Sequence, residues 1–322
     1  MIHRTLLFLA SVLLMVPATA SLAAYPEKPI RIIIPFDAGG PTDVLIRSIA
    51  PILTQDLGQN IVIENKGGAG SVIGVGYVAH AKPDGYTLVV GGSPTPINAS
   101  FMPNLPYDTE KDLTAIAPLA RTPYFLIAGS KFPVNSVKDL IAYAKAHPGQ
   151  VTYASSGIGN RPHLAGAQFG ILTGTQLLHV PFKGTAPATT ALLSGEVNIM
   201  FAGLATVLPN LQAGQLKVLA VATPKRSSFL PNAPTLGEEG IPNFYPDVWY
   251  GLLAPGGTPQ AIKDRLAQAV NKALKNPDTV KLYASLGAVP FISTPAQFQT
   301  FFDGEVNEWR DFFKTNPSLL KE

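Results

Sequence analysis

From Ile30 onward, short β-branched runs alternate with longer stretches whose apolar residues recur every three or four positions. Ile30-Arg31-Ile32-Ile33-Ile34 reads as a strand, and Thr42 to Leu57 follows with helical spacing at Leu45, Ile49, Ile52 and Leu53. Ile61-Val62-Ile63 is a second strand, followed by a Gly-rich turn, a helix to about Ala81 and a strand from Tyr86 to Val90. This β-α-β-α-β order predicts a mostly parallel sheet with helices on both faces. The stretch from Gly91 to Asp112, rich in Pro, Asn and Asp, interrupts the rhythm, which then restarts as a second unit. There a strand from Tyr124 to Ala128 precedes a helix from Ser136 to Ala146, with Ser136 as N-cap. Val151 to Ala154, Leu177 to Val180, Ile199 to Phe201 and Lys217 to Ala222 read as strands, with helices at about 162–173, 185–194 and 204–213. Beyond Pro224 come turns, one strand around Trp249 to Ala254, and long helices. In Thr258 to Leu274, Ile262, Leu266, Val270 and Leu274 line one apolar face. Two α/β units in series predict two lobes, and periodicity does not assign the C-terminal third to either.

The amino terminus changes where such a fold would work. His3 and Arg4 precede an apolar run from Leu6 to Val16, and small residues follow at Ala18-Thr19-Ala20 and Ser21-Leu22-Ala23. The run is well short of the roughly 20 residues of a spanning helix, so residues 1–24 are expected to be a cleaved secretory signal. Every later apolar run is broken by Gly, Pro or charge, and a chain of 322 residues exceeds one ordinary core. A formal net charge of +3 gives no electrostatic case for nucleic acid or anionic lipid. With no cysteine, disulfides and thiolate chemistry are excluded. The histidines at 3, 80, 147, 163 and 179 form no H-x-x-x-H pair, so neither a metal site nor a cofactor is expected.

Candidate chemistry concentrates in glycine-rich turns. In Pro35-Phe36-Asp37-Ala38-Gly39-Gly40-Pro41-Thr42-Asp43, the glycines let the backbone turn sharply between strand and helix, and Pro41 suits a first helical turn. Unpaired amides at a positive helix end make an anion site. The alternative is an ordinary βα turn with Asp43 complementing the dipole. Ser155-Ser156-Gly157-Ile158-Gly159-Asn160 offers a second such helix start in the other unit, and Glu64 to Ser71 a third turn of the same kind. One loop from each unit, facing across a cleft, would hold a ligand between them. Arg161 beside the second loop is either a solvated helix-start residue or a partner for a distal ligand carboxylate. Trp249 and Phe36 are expected either to wall the cleft or to fill the core. His163 reads as a helix-start hydrogen-bonding residue rather than a base.

Enzyme readings find no support. There is no G-x-S-x-G elbow, and Ser155 with His163 is not a triad. Gly74-Val75-Gly76-Tyr77-Val78-Ala79 matches G-x-G-x-x-A in letters, but it lies inside a predicted helix, which argues against dinucleotide binding.

Several longer motifs stand in order along the chain: Tyr25-Pro26-Glu27-Lys28-Pro29-Ile30-Arg31, Pro35-Phe36-x-x-Gly39-Gly40-x-x-Asp43, and Val62-Ile63-Glu64-Asn65-Lys66-Gly67-Gly68-Ala69-Gly70. Pro83-Asp84-Gly85-Tyr86-Thr87-Leu88, His163-Leu164, His179-Val180-Pro181-Phe182-Lys183-Gly184, Gly214 to Val221 and Pro255-Gly256-Gly257-Thr258-Pro259 follow. Across the mature sequence the chain resembles the Bug-type periplasmic substrate-binding proteins of tripartite tricarboxylate transporters. The resemblance implies an α/β, two-lobed type II periplasmic binding-protein fold with the ligand cleft between the lobes. Lobe 1 would comprise 25–123 and 223–322, and lobe 2 would comprise 124–222. It also implies a periplasmic, monomeric, non-enzymatic protein that binds a small organic carboxylate and docks on membrane subunits of such a transporter. A ligand-sensing module docking on a membrane signalling protein is the alternative. Ligand-binding residues are expected among Phe36, Ala38, Gly39, Gly40, Thr42, Asp43, Ser71, Ser155, Ser156, Gly157, Gly159, Asn160, Arg161, His163, Ala202 and Trp249. The chain departs from the pattern at Ala202 and Asn198, where many relatives carry Asp, and at Asn160-Arg161-Pro162. The missing carboxylate at 202 favours a carboxylate or dicarboxylate, including aromatic acids, over an amino acid.

Overall fold

The computed structural model describes residues 25–320, and the secretory signal expected over 1–24 lies outside the described residues. The first half runs β1 (Ile30–Ile34), α1 (Pro41–Leu57), β2 (Ile61–Asn65), α2 (Val72–Ala79), β3 (Thr87–Gly92), α3 (Pro94–Phe101), β4 (Leu113–Gly129), α4 (Val137–Ala146), β5 (Val151–Ser155) and α5 (Arg161–Thr173). Then come β6 (Leu177–Pro181), α6 (Thr185–Ser194), β7 (Ile199–Gly203), α7 (Leu204–Gln212), β8 (Leu216–Val221), β9 (Asp247–Pro255), α8 (Gln260–Leu274), α9 (Pro277–Ser285), β10 (Val289–Pro290) and α10 (Pro295–Thr315).

Side-chain alternation within single strands sets the layers. Ile30, Ile32 and Ile34 of β1 enter a core with α1 and α8, while Ile33 enters the opposite core with α2 and α10. The second sheet divides the same way: Leu126 and Ala128 of β4 join one core, Phe125 and Ile127 the other. A strand buried on both faces reads as a continuous apolar run, which is why these strands are legible in the sequence.

The strand order is β2-β1-β3-β9-β4-β7-β5-β6, and β8 and β10 also pair with β4. β1 pairs in parallel with β2 and β3, and β5 with β6 and β7. β4 and β9 run antiparallel to their partners, so the sheets are mixed where the alternation predicts mostly parallel pairing. Periodicity carries no information on strand direction.

β4 joins the two halves. Its first part, from Leu113 to Pro123, pairs with β9, and its last part, from Tyr124 to Gly129, pairs with β7 and β8. The sequence pattern finds only the second part, because Pro118, Arg121 and Pro123 break the apolar run. Register shifts at Ala115/Ala117 and Pro118/Ala120 absorb Pro118. The interrupted stretch from Gly91 to Asp112 contains α3.

The chain's return differs from the boundary expected at 222/223. Leu236, Ile241 and Phe244 are buried in the second sheet's core, and Phe229 and Leu230 pack on its other face. Residues up to Pro246 thus stay with the second sheet, where Pro246 accepts a hydrogen bond from the Tyr124 amide at 3.3 Å. β9 then enters the first sheet between β3 and β4.

Helix ends follow local chemistry. Ser136 caps α4 by accepting the Asp139 amide, as its position predicts, and Thr294 with Gln297 forms a capping box on α10. Asp56 of α1 binds Arg265 at 2.7 Å and Lys272 at 2.6 Å on α8. The hydrogen bonds from Lys272 and then Arg265 hold its carboxyl below the usual carboxylate range, against the opposing effect of burial. A carboxyl with a depressed folded pKa stabilises fully above its unfolded pKa and loses that contribution as pH falls through the folded value. Asp56→Asn is therefore expected to lower stability by about 1–2 kcal/mol at pH 7. The gap from the parent should begin to narrow below roughly pH 4 and close only once the pH has fallen through the depressed folded value, where the parent carries a neutral group as well. Urea melts across that pH range check the sign.

Candidate functional site

The turn after β1 is held open by glycine and shaped by Asp43. Gly39 has φ +83°, and Gly40 caps α1 in an extended conformation (φ −75°, ψ 170°) without any side-chain cap. Pro41 brings no N–H, so the main-chain amides of Thr42 and Asp43 point out of the helix start with no intrahelical acceptor. Asp43 faces the other way. Its Oδ2 accepts the Gly39 amide at 3.0 Å, and its Oδ1 accepts Arg47 Nε at 2.7 Å and Asn65 Nδ2 at 3.1 Å. Asn65 also donates to the Phe36 carbonyl at 3.1 Å and accepts from Arg47 at 2.8 Å. Burial works to raise the Asp43 carboxyl, but the bonds from Gly39, Asn65 and Arg47 outweigh it and hold the group below its usual range. Asp43 therefore does more than complement the dipole. It braces the turn from beneath, and Ala38 and Gly39 remain exposed at its tip.

The third turn packs directly against the first. A side chain at Gly67 would meet Asp37 Oδ1 at 2.7 Å, and one at Gly74 would meet the Pro35 Cα at 2.8 Å. Gly74 and Gly76 lie inside α2, consistent with a packing role for these glycines. Ala69, Gly70 and Ser71 are successive left-handed residues (φ 47°, 61° and 83°), and Asn98 of α3 clamps them by donating to the Gly70 carbonyl at 2.9 Å. Ser71 Oγ is buried and has no hydrogen-bond partner among the described residues. Left-handed backbone at Ala69 and Ser71, which are not glycine, is costly, and it stands beside this unsatisfied hydroxyl.

The turn after β5 satisfies more of its own groups. Ser155 is buried, and its Oγ accepts the Gly157 amide at 3.1 Å and meets His179 Nε2 at 2.7 Å. Gly159, at φ +74°, donates its amide to His163 Nδ1 at 3.0 Å. Asn160 caps α5 by accepting the His163 amide at 3.2 Å, and it donates to Ser156 Oγ at 2.8 Å. The rings of His163 and His179 stack with centroids 4.0 Å apart beneath this turn. His163 is thus the helix-start hydrogen-bonding residue expected of it. The amides of Gly157, Gly159 and His163 are engaged within the turn.

Three expected site residues stand elsewhere. Trp249 is fully buried, with its Nε1 on Glu305 Oε2 at 3.1 Å and its ring edge-on to Phe298, Phe301 and Phe302. It fills the core and does not wall a cleft. Ala202 is buried in β7 opposite Phe125, with its methyl in a core cluster. Arg161 is buried rather than solvated, and its Nε donates to the Asp247 carbonyl at 3.0 Å. That bond uses Nε alone, while Nη1 is buried with no hydrogen-bond partner among the described residues. Asn198, the other departure, bridges β7 to Thr152 of β5. Phe36 is half-buried against the first core, and Thr42 is buried at the start of α1.

Arg47, Asn65 and Asn98 are the supporting residues that sequence reading passes over. Asn65 alone had a local signal, as the end of Val62-Ile63-Glu64-Asn65. Among the described residues there is no cluster that could hold a metal ion, and no helix is long and apolar enough to cross a membrane. A groove of about 910 Å³ runs along β6 and α5, bounded by Ile158, Ile171, Leu178 and Leu319, and its lining includes no Lys, Arg, Asp or Glu. Its polar lining includes Gln176, His179, Asn316 and Ser318.

The pattern of a family described as "Tripartite tricarboxylate transporter family receptor" (TctC) matches residues 45–316. Protein BugT of Bordetella pertussis is 36% identical over 94% of this chain and 96% of its own length. Among solved structures, MatC from Rhodopseudomonas palustris with bound malate is 33% identical with a TM-score of 0.74, covering 89% of this chain and 99% of MatC. A second R. palustris protein, solved with adipate, is 34% identical with a TM-score of 0.77, covering 90% and 98%.

Proposed function

Because the chain belongs to the tripartite tricarboxylate transporter receptor family, we propose that it captures a small organic carboxylate between two lobes and hands it to the membrane subunits of such a transporter. The observation that carries this reading is the pair of glycine-loosened helix starts after β1 and β5, the first with uncapped amides at Thr42 and Asp43. Helix-start amides favour a carboxylate by direct hydrogen bonds and by the positive end of the dipole. Ser71 Oγ and Ser156 Oγ add hydroxyls to the same reading.

Lobe 1 is assigned 25–123 and the chain from 247 onward, and lobe 2 is assigned 124–246, following the packing of Leu236, Ile241 and Phe244. The crossings then fall at Pro123–Tyr124 and Pro246–Asp247, two adjacent strands that suit a hinge. The working place is the periplasm, as for the periplasmic binding proteins it resembles, and the working form is a monomer.

Relatives solved with malate and adipate favour a dicarboxylate. Ala202 offers no countercharge for an ammonium group, in keeping with that class. A ligand that binds only the folded form stabilises it by mass action, by about 2.7 kcal/mol at a hundredfold excess over Kd, and so raises the melting temperature. A thermal-shift and calorimetry panel of mono-, di- and aromatic carboxylates, including malate and adipate, is expected to yield at least one saturable binder. The protein should first be unfolded and refolded to strip carried-over ligand. Silence across the panel from folded protein would refute the reading.

A further inference from the structure

Arg161 stands at the first position of α5, where a long cation normally extends into solvent. Here it is only 8% exposed. Its Nε binds the main-chain carbonyl of Asp247 in β9, and its guanidinium lies over the ring of Trp309 in α10, 4.8 Å from the centroid. One residue thus ties the start of α5, a second-sheet element, to a strand and a helix of the first.

Its surroundings are equally cross-connected. Ile97 of α3, Leu164 of α5, and Trp309 and Phe313 of α10 form one buried cluster, with Phe101 packed on it. The Phe101 ring lies so close to Gly159 that a Cβ there would stand 2.7 Å from its Cε1. The charges around Arg161 are held in place. The Asp247 carboxylate pairs with Arg121, whose guanidinium lies 5.2 Å from Phe291 and 5.4 Å from Phe301. Glu305 accepts from Trp249 and is near enough for Arg161 to act on it electrostatically.

Two donors in this arrangement are unsatisfied: Arg161 Nη1 and Trp309 Nε1 are buried and have no partner among the described residues. A buried charged donor left unpaired is costly, so the arrangement is not the one that would best satisfy this guanidinium. The Glu305 carboxyl is an acceptor in the same junction. A guanidinium with one donor still open and another acceptor in the same junction suits a two-state element.

We propose that Arg161 is an interlobe latch, a positioning residue whose bond to β9 and stacking on α10 fix where the 155–160 turn stands relative to the first lobe. Release of this contact is what lets the turn move when the lobes open or close. That the turn carries ligand rests on the function proposed above. The latch itself is a property of the free protein and is tested there.

The chain's two tryptophans, Trp249 and Trp309, both lie at this junction, so intrinsic emission reports on it directly. Arg161→Met keeps an unbranched stem over Trp309 and removes the charge and its donors. In the ligand-free protein it should red-shift the emission and speed amide exchange over 156–160 by roughly tenfold, the equivalent of one lost charge-assisted hydrogen bond. Exchange in β5, β6 and β7 should not change. Arg161→Lys, a milder change that supplies a single point donor, should show the same pattern at smaller amplitude. Unchanged emission and exchange in both variants would overturn the proposal. So would uniform loss of protection across 124–246, because that would mark Arg161 as a general stabiliser. A protein that binds carboxylates but whose turn ignores Arg161 sinks the latch alone, and a working latch in a protein that binds none sinks the function alone.

Discussion

Asp43→Ala is expected to weaken carboxylate binding at least about a hundredfold and to lower stability by roughly 2–3 kcal/mol. The Asp43 side chain receives the Gly39 amide, Arg47 and Asn65, and through Asn65 it also secures the Phe36 carbonyl. Truncation leaves Arg47 with only its bond to Asn65 and lets the Gly39-Gly40 segment relax, so the first-turn amides lose their support. The main effect is on preorganisation: the amides remain, but they must be ordered again by each ligand. Asp43→Asn should fall between the two, since it keeps an acceptor but turns an amide group towards donors. Calorimetry with whichever carboxylate binds the parent, paired with urea melts, separates the affinity loss from the stability loss. An affinity change smaller than about threefold would remove Asp43 from the account.

The second large effect lies one layer deeper. Gly74→Val should destabilise the protein by about 3 kcal/mol or more. Its added carbon would stand 2.7 Å from the Lys66 carbonyl oxygen and 2.8 Å from the Pro35 Cα, so backbone on both sides would have to yield. The β1 end would shift with it, taking the Phe36 to Gly40 turn out of position. Gly76→Ala, two residues on in the same helix, is the control. There the new carbon would meet side chains alone, the Tyr107 ring at 3.3 Å and Pro106 at 3.7 Å, and alanine improves helix propensity by up to about 1 kcal/mol, so the change should be near neutral. Equal melting temperatures for the two variants would show that the close approach at Gly74 does not matter.

These expectations draw on features of unequal legibility. Gly39-Gly40-Pro41 and Gly157 to Asn160 announce themselves, because a sharp turn into a helix needs residues of that kind, and Ser136 is readable as a cap for the same local reason. Strands inside the sheet are equally plain, since Ile30 to Ile34, paired on both edges, sends isoleucines to both faces. What is hidden depends on distant chain. Arg161 cannot be known as buried without Trp309 and Asp247, which reach it only when α10 and β9 have folded back. Trp249 is ambiguous until Glu305 and the Phe298–Phe302 rings close over it. The first half of β4 escapes notice because its prolines read as breaks, and only pairing with β9 shows them to be tolerated. Asn98 gives no local hint that it clamps Gly70.

The central claim is that main-chain amides at two helix starts hold a carboxylate, and amide-resolved NMR of the ¹⁵N-labelled protein tests it most directly. Titration with the carboxylate panel should yield at least one acid that saturably shifts the amides of Gly40, Thr42 and Asp43 together with those between Ser156 and Arg161. A saturable binder that shifts amides elsewhere, such as those along the β6–α5 groove, while leaving both turns unmoved would contradict the account.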